Sequence, residues 1–207
     1  MNCLLCGTNF HPSPTWRRLF LYEKETSTCN RCFNKFIISD AEIHFDDFQN
    51  TLYEGAVDTV AALYSYNEAM KSYLHQYKFL QDVALAQVFS KTLHEALEGK
   101  ESIIIPIPMH PEKLVQRTFA QVDELLKSAG IPFQHLLTKT AKTEQGKKTR
   151  KERLEAAPLF ELTTTIEERD YILFDDIYTT GATIHHAAKL LKDSGATRVE
   201  AITLIKG

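Results

Sequence analysis

No stretch of this 207-residue chain approaches the roughly 18 consecutive apolar residues that a membrane-spanning helix needs. Its N-terminus has no apolar core of the signal-peptide kind. A cytoplasmic, soluble protein is therefore expected, with peripheral attachment through a partner left open. Charge of one sign is also scarce. The formal net charge is -3 and the isoelectric point is near 6.2, which excludes a uniformly basic nucleic-acid binder but not a local basic patch. No internal repeat or low-complexity tract occurs. What is present is a 43% hydrophobic fraction, enough to bury a real core, in a length that fits one medium domain plus a small appendage.

Cysteine is absent beyond position 32, and the four that exist form two knuckles, Cys3-x-x-Cys6 and Cys29-x-x-Cys32. In a reducing compartment such paired knuckles read as metal ligands. Four thiolates suit a tetrahedral, structural Zn²⁺, whose closed coordination leaves no position for substrate. A pair of disulfides, redox-active thiols and unliganded cysteines are the other readings. The thioredoxin-like βαβ setting of a redox motif is missing. His11 and His44 are spare ligand candidates, or ordinary surface or packing histidines. Trp16, Arg17, Arg18, Leu19, Phe20 and Tyr22 lie between the knuckles, as a miniature core or as a docking surface. A fragment this small buries little, so the metal would supply most of its folding energy. The module is expected to span residues 1–45, with the remaining domain at 46–207 and an acidic linker near Asp40–Gln49.

Beyond the linker, strand and helix patterns alternate, which predicts an α/β fold with a parallel sheet flanked by helices. Strands are expected at Thr59–Tyr66, Ser102–Pro106, Phe133–Leu137, from Tyr171, and at Val199–Ile205. Helices are expected at Ala69–Leu80, Val83–Leu97 and Glu112–Ala129, the last stopped by Gly130, and after the Tyr171 strand up to Gly195.

The segment Tyr171–Ile184, YILFDDIYTTGATI, carries the most chemistry. An apolar run, Tyr171–Phe174, ends in two adjacent acids, Asp175 and Asp176. A hydroxyl- and glycine-rich turn follows, Thr179-Thr180-Gly181-Ala182-Thr183, and then a helical pattern. Such a loop cradles phosphate, because its N–H groups converge and the helix N-terminus adds partial positive charge. The acids would repel phosphate and so need sugar hydroxyls or a ligand-held metal; a phosphorylated sugar satisfies both halves. The bland alternative is a strand–turn–helix connection with Thr and Asp as turn and cap residues.

D-D-x-x-T-T-G-x-T after an apolar strand resembles the binding signature of the type I phosphoribosyltransferases, which use 5-phosphoribosyl-1-pyrophosphate (PRPP). The resemblance implies that Asp175 and Asp176 meet the ribose hydroxyls. It likewise implies that Thr179, Thr180, Gly181, Ala182 and Thr183 hold the 5-phosphate, and that Mg²⁺ accompanies PRPP. It also places pyrophosphate at a strand-to-helix loop such as Ile107–Pro111, with Lys113 or Arg117 assisting. Taken alone, that proline-rich loop reads equally well as a rigid turn without a ligand.

Lys139–Arg153 carries a local excess of five positive charges. It reads as a solvated loop, as a lid over PRPP, or as a contact for single-stranded DNA through Lys147, Lys148, Arg150 and Arg153. Taken in order, the four-cysteine module, Tyr77-Lys78-Phe79, I-P-I-P-M-H-P, Arg117-Thr118-Phe119-Ala120-Gln121, the Thr143…Gln145…Arg150…Glu152-Arg153 run and D-D-I-Y-T-T-G-A-T resemble the ComF family of competence proteins, in particular its ComFC branch. Arg117, Gln121, Gln145 and Arg153 carry over, and Lys78 matches a family lysine. The family's R-G-F-N-Q has lost its glycine and asparagine here, and Ala156 replaces a further asparagine. The resemblance implies a role in uptake of transforming DNA beside a ComFA-like helicase/ATPase. The alternative is an active phosphoribosyltransferase that passes the phosphoribosyl group to a nitrogenous base. No catalytic residue is assigned.

Overall fold

A computed structural model of the protein describes residues 1–11, 27–40, 43, 48–140 and 159–207. The expectations for 16–22, His44 and 141–158, including Lys147, Lys148, Arg150 and Arg153, lie outside the described residues.

A five-stranded sheet forms the centre. In chain order its strands are β1 (Ile37–Ile38), β2 (Thr59–Ser65), β3 (Ile103–Pro106), β6 (Asp170–Tyr178) and β7 (Arg198–Lys206), arranged spatially as β1-β2-β7-β6-β3. Only β1 is antiparallel to its neighbour; the other pairings are parallel, as the alternating pattern predicts. A separate two-stranded antiparallel sheet pairs β4 (Leu137–Lys139) with β5 (Phe160–Leu162).

Because side chains alternate across a strand, each central strand feeds two cores. Ile104, Ile172, Phe174, Ile202 and Leu204 face one side. There they meet α2 (Glu68–Phe79), a 3₁₀ segment (Val83–Phe89), α3 (Ser90–Leu97) and α5 (Gln121–Ala129). Ile105, Tyr171, Leu173, Val199 and Ala201 face the other, against α6 (Ala182–Asp193) and the β4–β5 pair. Ile172, Leu173 and Phe174 are all fully buried. Truncating Phe174 to Ala would cost about 3–5 kcal/mol.

Four elements differ from the sequence expectation, each for a local reason. Val83–Leu97 is two helices. Leu85, Phe89, Leu93 and Leu97, spaced by four and buried, supply the helical signal, but the first seven residues wind as a 3₁₀ helix with no side-chain cap at Asp82. Glu112–Ala129 is likewise split, into α4 (Pro111–Arg117) and α5. Thr118 adopts φ +63°, and the Gln81 side chain satisfies the end of α4 by donating to Gln116 O at 3.0 Å. Gly130 does end α5, in the left-handed conformation. Of the strand expected at Phe133–Leu137, only Leu137 is in a strand, β4, whose partner β5 lies more than twenty residues downstream. Finally, the strand after Tyr171 continues through both acids to Tyr178, because β7 offers it partners as far as Lys206.

The cysteine-bearing N-terminus is stitched onto the sheet. Following α1 (Asn30–Phe33), β1 adds an edge strand beside β2. Phe36 packs at 6.2 Å from Tyr64 and 4.8 Å from Phe89, centroid to centroid, and Phe33 at 6.1 Å from Phe89.

Candidate ligand site and cysteine cluster

The two acids lie side by side in β6, so their carboxylates leave opposite faces of the sheet. Asp176 continues the face of Ile172 and Phe174, under α2. It is buried, and its Oδ2 meets the Lys78 ammonium at 2.5 Å, with both side chains nearly enclosed. Asp175 continues the face of Leu173, towards β4. Its Oδ1 accepts the Asp176 N–H at 2.8 Å. Desolvation, with the neighbouring Asp176 charge adding to it, pushes the Asp175 carboxyl up to about 7. Lys78 and Lys139 act in the opposite sense, against that rise. Burial lowers the Lys139 ammonium, and nearby Lys113 adds to that lowering, while Asp175 opposes it. Asp176 is thus paired with Lys78, while Asp175 feels Lys78 and Lys139 only through their charge.

Past Tyr178 the chain turns at Thr179 and Thr180, and Gly181 caps α6 with φ +74°. A Cβ at Gly181 would lie 2.2 Å from the Tyr178 hydroxyl, so this position requires glycine on two counts, conformation and space. With no side chain, Gly181 offers the first turn of α6 no capping group of its own, and Ala182 and Thr183 begin that turn. The loop is anchored from below. His185 donates Nδ1–H to Gly181 O at 3.0 Å, and its ring stacks on Phe48 at 3.4 Å. Gly207 N–H donates to Tyr178 O at 2.8 Å. The result is a loop held at both ends beyond the strand, with the two acids just before it on β6. That arrangement suits a ligand carrying both hydroxyls and phosphate.

Arg117 stands differently. Its guanidinium donates to Gln121 Oε1 at 2.8 Å and lies 5.8 Å from the Phe79 ring centroid. Gln121 in turn is fully buried, and its carbonyl accepts the Tyr77 hydroxyl at 2.7 Å. In the 106–111 loop, His110 accepts the Glu112 N–H at 3.3 Å and caps α4, which places Lys113 in its first turn. Sequence reasoning left the role of Lys78 open and read Lys139 as the start of a loop. Neither residue carried a local signal for its acid, because the Lys78–Asp176 contact and the influence of Lys139 on Asp175 both join elements far apart in the chain.

At the other end, Cys3, Cys6, Cys29 and Cys32 converge with all four Sγ atoms within 4.8 Å of one another. The first knuckle is a tight turn: Cys3 N–H donates to Thr8 O at 3.0 Å and Gly7 N–H to Cys3 O at 2.8 Å, with Gly7 at φ +68°. In the second, Cys29 precedes α1 and donates its N–H to Cys3 Sγ at 3.3 Å. Hydrogen bonds from Thr8 bring the Cys6 thiol down to about 6, while burial and adjacent sulfurs push Cys32 up to about 12. Such crowding of sulfurs is what a divalent cation relieves. Sulfurs around a tetrahedral Zn²⁺ stand about 3.8 Å apart, from a bond of about 2.3 Å. The Cys6–Cys29 separation is 4.0 Å, so the donor set fits one metal ion.

Residues 69–207 match the phosphoribosyl transferase domain family. Competence protein ComFC of Streptococcus pneumoniae is 33% identical over 220 aligned residues, covering all of both chains. The chain belongs to the ComFC family. A second ComFC relative, from Bacillus subtilis, is 30% identical across 99% of this chain and 94% of its own. Among solved structures, adenine phosphoribosyltransferase from Leishmania tarentolae is 17% identical with a TM-score of 0.40, over 63% of this chain and 74% of that one. The ComFC membership, the phosphoribosyltransferase-type α/β fold and the clustered cysteines agree with what the motif order implied. No helix among the described residues is long and apolar enough to cross a membrane.

Proposed function

We propose that this ComFC-family protein is an accessory factor for DNA uptake that binds PRPP, or a related phosphorylated ribose, at the end of β6. One observation carries the reading. A strand bearing two adjacent acids, one paired with Lys78, runs directly into a glycine-capped helix N-terminus, which suits a ligand with a diol at one end and a phosphate at the other. Asp175 and Asp176 accept the ribose hydroxyls, and Thr179–Thr183 enclose the 5-phosphate. Mg²⁺ accompanies the pyrophosphate and disperses its charge. Lys113 flanks the pyrophosphate more directly than Arg117, whose guanidinium is already held by Gln121 and Phe79. Calorimetry of PRPP with Mg²⁺ tests the reading: Asp175→Ala/Asp176→Ala should abolish binding, and retained affinity would remove the site.

The remaining parts follow the ComFC assignment. Residues 1–45 form the metal module, with structural Zn²⁺ on the four cysteines, and 46–207 the ligand-binding domain. The module docks a ComFA-like helicase/ATPase. Lys147, Lys148, Arg150 and Arg153 contact single-stranded DNA, and the protein acts in the cytoplasm, peripheral to the membrane through its partner complex. Removing charge at Lys147, Lys148 and Arg150 should flatten the salt dependence of DNA binding. An unchanged salt series would exclude that contact. A Cys29→Ser variant that loses its metal yet still binds the partner normally would exclude the docking role.

The match to the phosphoribosyl transferase domain family supports a second reading, transfer of the phosphoribosyl group to a nitrogenous base. Such chemistry rests on positioning rather than on a strong protein base. Pyrophosphate release from PRPP with a panel of nucleobases separates the two: turnover marks an enzyme, binding without turnover an accessory protein.

A further inference from the structure

The Lys78–Asp176 contact joins two nearly enclosed, oppositely charged groups at the floor of the ligand site, one from α2 and one from β6. Two facts set it apart from an ordinary structural ion pair. Lys78 is the last-turn residue of a helix whose neighbouring position, Tyr77, is locked in the core and hydrogen-bonded to Gln121 O. The ammonium therefore has little freedom. In addition, the contact uses Asp176 Oδ2, so the other carboxylate oxygen is left to accept from a ligand hydroxyl.

We infer that Lys78 is a positioning residue of the sugar site, fixing the Asp176 carboxylate and balancing its charge so that Asp176 can accept a ribose hydroxyl beside a bound polyphosphate. The inference rests on the sugar-phosphate reading above. Without Lys78, the Asp176 carboxylate would stay buried under α2 with no counter-charge of its own. The other groups facing the two acids are Tyr73 and Tyr77 from α2, whose hydroxyls burial holds above their ordinary range, and Lys139 from β4, with Lys113 beyond it. The tyrosines stay neutral through the working pH range, and Lys139 serves Asp175 on the opposite face. No described neighbour can replace Lys78. Losing Lys78 also removes a charge that favours the ionised form of Asp175, so the hydroxyl-accepting capacity of the site then depends more strongly on pH.

Calorimetric titration of the full-length protein with PRPP and Mg²⁺ between pH 6 and 9 tests this. Lys78→Met should weaken binding by about 10–100-fold near pH 7, the loss typical of removing a group that orients a ligand-contacting residue. Part of the loss should recover towards pH 9, and Lys78→Arg should restore most of it. A merely structural lysine would lower thermal stability without moving the pH profile. If Lys78→Met does not fold, Lys78→Gln gives the same reading. Wild-type affinity and pH profile in the folded variant, alongside lost binding in Asp176→Asn, would overturn the role of Lys78. No binding by the wild-type protein would instead overturn the PRPP reading itself.

Discussion

Replacing Gly181 with alanine perturbs the loop before α6 at its tightest point, and the structure fixes the expected size of the effect. The residue sits at φ +74°, a conformation that costs a non-glycine residue about 1–2 kcal/mol. The added Cβ would also lie 2.2 Å from the Tyr178 hydroxyl and 2.6 Å from Cζ. Tyr178 is buried, so its ring has no open solvent to retreat into, and overpacking of this kind costs about 1–3 kcal/mol more. The total, about 2–5 kcal/mol, corresponds to a fall in melting midpoint of roughly 5–15 °C for a chain of this size. Gly99 provides the internal control. It has φ +73° but open space around its Cβ position, so Gly99→Ala isolates the conformational term at about 1–2 kcal/mol. Thermal denaturation followed by near-ultraviolet circular dichroism reads both variants. Adding Tyr178→Phe to Gly181→Ala removes the nearest clashing atom and should recover part of the loss. Equal midpoints for Gly181→Ala and Gly99→Ala would refute the steric argument and the close approach of Tyr178 to the loop.

Asp175 should leave a signature in the pH dependence of stability. Its carboxyl is pushed up to about 7 in the fold, so the folded state holds this proton more tightly than the unfolded chain. The contribution is therefore favourable at acidic pH and is lost as pH rises from about 4 to about 7. Asp175→Asn should gain stability over wild type progressively across that window, by up to about 4 kcal/mol, and level off above it; urea denaturation at several pH values measures this. For the same reason, PRPP affinity should weaken as pH falls through 7, because a protonated Asp175 accepts a hydroxyl less strongly than the carboxylate does. At the cysteine cluster, elemental analysis should find one zinc per chain, and strong chelators should lower the melting midpoint by roughly 10 °C or more. A metal-free chain of unaltered midpoint would contradict a structural site. Tyr77→Phe should cost about 1 kcal/mol through loss of its buried hydrogen bond to Gln121 O, checked by the same urea series.

The parallel sheet and the glycine-capped turn from β6 into α6 were legible in the sequence because their signals are local. Alternating apolar runs, a glycine at the helix cap and adjacent acids are all read within a dozen residues. The cysteine cluster was legible from spacing alone. The acids' partners were not: Lys78 and Asp176 are separated by nearly a hundred positions, and nothing in Tyr77-Lys78-Phe79 announces a counter-charge. The break between α4 and α5 was hidden for a related reason. The apolar periodicity runs on across Thr118, while the groups that end α4 come from Gln81, on another element. The pairing that carries β6 past its apolar run to Tyr178 likewise depends on β7, which comes later in the chain.

The aromatic seam beneath the cysteines has a thermodynamic consequence. From Cys32 the next residue is Phe33, which touches Phe36 and Phe89; these touch Tyr73, and Tyr73 stacks on Tyr77, the neighbour of Lys78. Close-packed rings have few alternative arrangements, so a displacement at one end is resisted at the other. If, as proposed, a metal fills the cysteines and a ligand the acids, this seam is the packed path that joins the two. Whatever factor zinc adds to ligand affinity, the ligand must add to zinc affinity. On the reading proposed above, a partner that grips the cysteine module would then bear on the occupancy of the sugar-phosphate site through that seam.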